Sequence, residues 1–129
     1  MMSEPRPLDS DRFEISVDGS GAMIRYRMKG FWDAGCYARF HEAILREMRK
    51  FHSRGEPFDL IGDLTEFPPQ PQNLNDAREM LAQDARAMGL RKCGVVTSSP
   101  LVKMQLDRLS NHFYQFFTSE ADALAWIRT

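Results

Sequence analysis

Phe58-Asp59-Leu60-Ile61-Gly62-Asp63-Leu64-Thr65-Glu66-Phe67-Pro68-Pro69-Gln70-Pro71 carries an apolar segment into an aspartate and then into a loop with three prolines. From Phe58 to Leu64 the segment is apolar on both faces near its middle, which predicts a buried central strand. The flanks decide what surrounds it. Upstream, Cys36 or Tyr37, then Phe40, Ile44, Met48 and Phe51 recur every three to four residues, the period of an amphipathic helix. Asp33 suits its N-cap and Gly55 its left-handed stop after Arg54. Downstream, Leu74, Ala77, Leu81, Ala85 and Met88 form a second helical stripe. Asn73 is its expected cap, Asp76 favours its positive end, and Gly89 closes it with Leu90 folded back over the last turn. A central strand between two helices is the mark of an α/β protein.

The same reading extends to both termini. Phe13 to Val17 and Ile24 to Lys29 alternate strictly on either side of Asp18-Gly19-Ser20-Gly21, which predicts an antiparallel hairpin. Residues 1–11 form a polar, proline-containing arm, expected to be flexible, and residues 12–129 form the domain. Beyond the second helix, Cys93 to Thr97 reads as a strand. Ser99-Pro100 opens a helix with Val102, Leu106 and Leu109 on its apolar face. Phe113 to Phe117 is a fifth strand, and Ser119-Glu120-Ala121-Asp122 is a capping box for a last helix with Leu124 and Ile127 inward. Single helices between strands imply right-handed parallel crossovers. The expected fold is therefore a single α/β domain: a mostly parallel five-stranded sheet with an N-terminal antiparallel hairpin and four helices.

Composition narrows the function classes. The chain has 129 residues, enough for one core, with 43% hydrophobic and 27% charged residues. A net charge of −1 gives no electrostatic footing on nucleic acid. No apolar run approaches the roughly 18 residues of a membrane span, and the opening MMSEPRPLDSDRF is neither signal nor transit peptide. Cys36 and Cys93 are expected as reduced thiols in a cytoplasmic protein. His41, His52 and His112 have no ligand spacing with the cysteines, so no metal and no cofactor is expected.

Four ordered stretches then resemble the STAS-like (SpoIIAA-like) domain family. They are Lys29-Gly30-Phe31-Trp32, Pro57 to Leu64, Gly89 to Val96, and Phe117 to Ile127. The resemblance implies a SpoIIAA-like βα superhelix and small bacterial cytoplasmic domains, mostly uncharacterised and not known as enzymes. Their relatives include anti-sigma-factor antagonists, which bind a partner kinase and are switched by phosphorylation of a serine. That serine lies after the third strand, where this chain has Pro68 to Asp76 without a serine or threonine, so it has no counterpart here.

Ligands of open α/β sheets bind beyond the carboxyl ends of the strands. There the sequence places Asp33, Asp63, Thr65, Thr97, Ser98 and Ser99, of which Asp33, Asp63, Thr65, Ser98 and Ser99 are the candidate ligand-binding set. Ser99 reads first as a helix cap. Asp63 reads first as an acceptor for loop amides. As a catalytic acid it would need a partner base, and no histidine is expected near it. The leading expectation is a non-enzymatic module for a protein partner or a small ligand. The alternative is a small enzyme using Asp63 with Thr65 or Ser98. A homodimer is also expected, since the hairpin face bearing Glu14, Ser16, Arg25 and Arg27 has little apolar cover.

Overall fold

In the computed structural model, which describes residues 11–18, 22–108 and 113–129, the strands are β1 (Phe13–Asp18), β2 (Met23–Lys29), β3 (Phe58–Glu66), β4 (Leu90–Val96) and β5 (Gln115–Phe117). The helices are α1 (Ala34–Ser53), α2 (Asn75–Ala87), α3 (Pro100–Asp107) and α4 (Glu120–Ile127), with a 3-10 turn at Gln72–Leu74 before α2. The sheet order is β1-β2-β3-β4-β5; β1 is antiparallel to β2 and every other pair is parallel. Because the order advances one strand at a time, right-handed crossovers place α1, α2 and α3 on the same face. The main core lies there, with Phe40, Ile44, Met48, Ala85, Val102 and Leu106 packed on Ile24, Leu60 and Val95. α4 folds onto the opposite face over Met23, Ile61 and Val96.

One helix cannot cover five strands. Two cations hold α4 over the β3–β4 side: Arg91 Nη2 donates to Asp59 Oδ2 at 2.9 Å and to Ile127 O at 2.6 Å, and Lys92 Nζ donates to Trp126 O at 2.9 Å. The β1–β2 half of that face stays open. On the covered side, Trp32 locks the strand exits together. Its ring lies 5.2 Å from Phe40, 5.8 Å from Phe13 and 5.6 Å from Phe67, and its Nε1 donates to Lys29 O at 2.9 Å. Fully burying side chains of this size contributes about 1.5–3 kcal/mol each.

The structure moves several boundaries. β3 continues to Glu66, β4 begins at Leu90, and β5 is limited to Gln115–Phe117. Leu90 opens β4, paired with Phe58, and packs half-buried against the main core. Asn73 is not the cap of α2: the 3-10 turn leads straight into the helix and no side chain caps it. The buried line of α2 is Leu74, Arg78, Ala82 and Ala85, while Ala77, Leu81 and Met88 are half-buried. In α4 the fully buried pair is Ala123 and Ile127, with Leu124 half-buried. His41 Nε2 lies 2.8 Å from Asp84 Oδ2 and links α1 to α2. The arm as far as residue 10, the turn residues 19–21, Leu109 and His112 lie outside the described residues. No helix among the described residues is long and apolar enough to cross a membrane.

Candidate functional site

The open half of the sheet is a trough of about 380 Å³ whose walls include Glu14, Arg25, Arg27, Asp63, Thr65 and Glu120. The pleat supplies the side chains: Arg25 and Arg27 stand on β2 beside Ile61 and Asp63 of β3, and Ser16 and Glu14 oppose them across the hairpin. A bulge then alters the spacing. Arg27 is level with Asp63 but Lys29 is level with Glu66, so β3 carries one extra residue there. Arg27 consequently reaches two carboxylates that a regular strand would send to opposite faces. Its Nη2 donates to Glu66 Oε2 at 2.6 Å, and its Nε lies 3.7 Å from Asp63 Oδ2, too far for a hydrogen bond. Glu14 completes the set at 4.0 Å. Across the trough Arg25 pairs with Glu120 at the start of α4.

Asp63 is occupied within its own turn. Its Oδ1 accepts from Thr65 N at 3.0 Å and from Thr65 Oγ1 at 2.6 Å, so the carboxylate caps the strand exit as expected of a structural acceptor. Ser98 and Ser99 line a neighbouring trough of about 510 Å³ with Thr97, Lys103 and Phe116; Thr118 lines both and marks their boundary. Ser99 caps α3, its Oγ accepting from Val102 N at 3.2 Å, and its own N donates to Thr97 Oγ1 at 3.2 Å. Asp33 lines neither trough. It caps α1 by accepting from Cys36 N at 2.7 Å. The structure thus gathers Asp63 with Thr65, and Ser98 with Ser99, as two separate pairs, and leaves Asp33 apart. Among the described residues no histidine lines either trough.

Sequence reasoning missed Gln70. It is buried in the proline loop and fully bonded: Oε1 accepts from Trp32 N at 2.9 Å, and Nε2 donates to Gly30 O at 3.0 Å and Pro68 O at 2.7 Å. Its backbone exchanges bonds with the Gln105 side chain of α3 at 2.9 and 2.8 Å. Gln70 ties the β3 exit to the β2 exit through its side chain and to α3 through its backbone. A glutamine flanked by prolines carries no periodic signal of burial, so only the fold exposes this role. Arg78 was missed for the same reason, a charged residue on a helix face that turns out to point inward.

No family model and no curated protein matches the chain. Solved structures do. The anti-sigma factor antagonist SpoIIAA in its unphosphorylated form superposes with a TM-score of 0.65 at 13% identity, covering 90% of this chain and 96% of its own. A DUF3478-family protein with a SpoIIAA-like fold from Shewanella loihica PV-4 gives 0.66 at 13% identity, over 89% and 93%. An anti-sigma factor antagonist from Mycobacterium paratuberculosis gives 0.55 at 17%, over 92% and 97%. These likenesses cover about nine-tenths of this chain and nearly all of each of the others. The chain has the SpoIIAA-like fold, the STAS-like architecture that its sequence resembles.

Proposed function

We propose that the chain is a non-enzymatic binding module, working in the cytoplasm, which docks a protein partner on the open half of its sheet. The observation that carries this reading is the trough: rigid strands present a ladder of charges that bond to one another and do not converge on a point where a substrate would react. Glu14, Asp63, Glu66 and Glu120 outnumber Arg25 and Arg27, so the partner surface that fits is basic. Two of the structurally similar proteins are anti-sigma factor antagonists by name, and partner binding is in keeping with that fold. Regulation differs from a phosphoserine switch. The segment that would carry the serine has no hydroxyl, and Gln70 fastens its start to Trp32 and to Gln105.

The test is a capture experiment followed by titration with the purified partner. Glu14→Lys with Glu66→Lys should abolish capture and weaken binding by a factor of ten or more, while Lys50→Glu on α1 leaves it intact. Unchanged binding in the charge-reversed variant would move the interface off this face. Turnover of a small molecule that disappears in folded Asp63→Asn would favour the enzyme alternative. A homodimer through the same hairpin belongs to this reading, supported by Val17 on the edge strand and Phe31 beyond β2, which are 41% and 68% exposed. Light scattering at high micromolar concentration should then give twice the 14.9 kDa chain mass, and a monomer mass would remove the dimer.

A further inference from the structure

Beneath the sheet, between β2–β3 and α1–α2, the main core encloses a cavity of about 30 Å³. Its walls are almost wholly apolar or aromatic, among them Tyr37, Phe40, Leu64, Leu106 and Tyr114, and one cation, Arg78, lines it. Arg78 is 2% exposed. Its Nη2 has no hydrogen-bond partner, and its Nη1 makes one long contact, 3.4 Å to Asn75 Oδ1. None of the ion pairs among the described residues includes it.

Such an arrangement is costly as it stands. A buried charge is tolerated when it is paired, and an unpaired one carries a penalty of several kcal/mol. The guanidinium cannot escape by losing its proton, because arginine stays charged in proteins. Burial disfavours the charged form here, and Arg78 lies near the positive end of α2, where a cation is least welcome. The phenols of Tyr37 and Tyr114 nearby are pushed well above their ordinary range by burial, so they stay neutral and give no counter-charge. What the site lacks is a negative group of small size. The volume exceeds the roughly 10–15 Å³ that one water needs, so a small bound species has room.

We infer that this cavity is a binding site for a small monoanion, a halide or the carboxylate of a short-chain acid, held against Nη2 of Arg78. Charge-assisted hydrogen bonding in a water-poor pocket supplies the affinity, and the apolar walls select against hydrated or divalent ions. A ligand bound only by the native state raises stability with the logarithm of its concentration.

The experiment follows the urea midpoint of the full chain in sodium bromide, sodium formate and sodium gluconate at matched ionic strength. Bromide, formate or both should raise the midpoint steadily with concentration, and gluconate, too large to enter, should not. A response to bromide points to a halide, and a response to formate alone to a carboxylate. Arg78→Met, which keeps the volume and removes the charge, should lose the response. Equal midpoints in all three salts, or a response that persists in Arg78→Met, would overturn the inference and leave the cavity to a water. Should Arg78→Met fail to fold, crystals of the unaltered chain soaked in bromide decide. An anomalous peak within hydrogen-bond distance of Arg78 Nη2, or formate density there in a parallel formate soak, is expected, and the absence of both overturns the site.

Discussion

Gly62 is the one position of β3 where nothing but glycine fits. A Cβ there would lie 2.3 Å from the Tyr26 ring, because Tyr26 is its register partner on β2 and lays its ring flat across the strand. The ring thereby reaches Cys93 on β4, with Oη 3.9 Å from Sγ. The need is for space, since Gly62 is not among the glycines with positive φ. Gly62→Ala should therefore destabilise by about 1–3 kcal/mol, the usual cost of overpacking a filled core. In a Tyr26→Ala background the added methyl should cost far less, and a double-mutant cycle by urea denaturation measures that coupling. Equal costs in the two backgrounds would show that the ring is not the obstacle. Cys93 is equally enclosed. It is 1% exposed, and burial pushes its thiol up to about 12. Cys36 is buried as well. Thiol reagents should label neither residue in the native protein and both after denaturation; rapid native labelling of Cys93 would place β4 elsewhere.

At the scale of elements, the proline loop behaves as a strut. Removing the Gln70 side chain would leave Trp32 N and Gly30 O buried without their partner. Gln70→Ala should cost about 1–3 kcal/mol by that count, with faster hydrogen exchange at the Trp32 amide as the local signature. An unaltered exchange rate would mean that water replaces the side chain. Asp63 is a milder case. Its side chain is 43% exposed, so its bonds to Thr65 and its ion pair with Arg27 lie in a screened setting. The larger cost expected for buried bonds does not apply. Asp63→Asn keeps an acceptor oxygen for Thr65, and the expected loss is at most about 1 kcal/mol. A loss well above that in the same denaturation assay would reveal a burden on Asp63 beyond capping.

Across the whole molecule, the covered core buries several weak acids in neutral form. Burial raises Tyr26, Tyr37 and Tyr114 from an ordinary 10.0, and Cys93 from 9.0. Raised values in the folded state mean that the native chain keeps protons that the unfolded chain gives up. The stability they confer is fully present below about pH 9 and is lost progressively as pH climbs toward the folded values. Urea midpoints should agree between about pH 7 and 8.5 as far as these groups are concerned, and fall clearly by about pH 10.5. Cys93→Ala with Tyr37→Phe should flatten the decline. A midpoint unchanged at the alkaline end would show that these side chains reach water in the native state.

Much of this was legible in the sequence because local chemistry dictates it. Strict alternation set the hairpin, the three-to-four spacing set α1, and Asp33, Ser99 and Ser119 cap the helices they were expected to cap. Gly55 and Gly89 take the positive φ their places demand. Asp63 as an acceptor was also legible, although its donor, Thr65, lies within β3 and not in the loop beyond it. The tertiary structure alone decided the rest. Which half of the sheet face stays open depends on where α4 packs, over Met23, Ile61 and Val96, held by Arg91 and Lys92. The bulge that lets Arg27 meet both Asp63 and Glu66 depends on the pairing of β2 with β3. Gln70 and Arg78 are buried because distant segments close over them, and a polar residue's own neighbours in sequence carry no record of that.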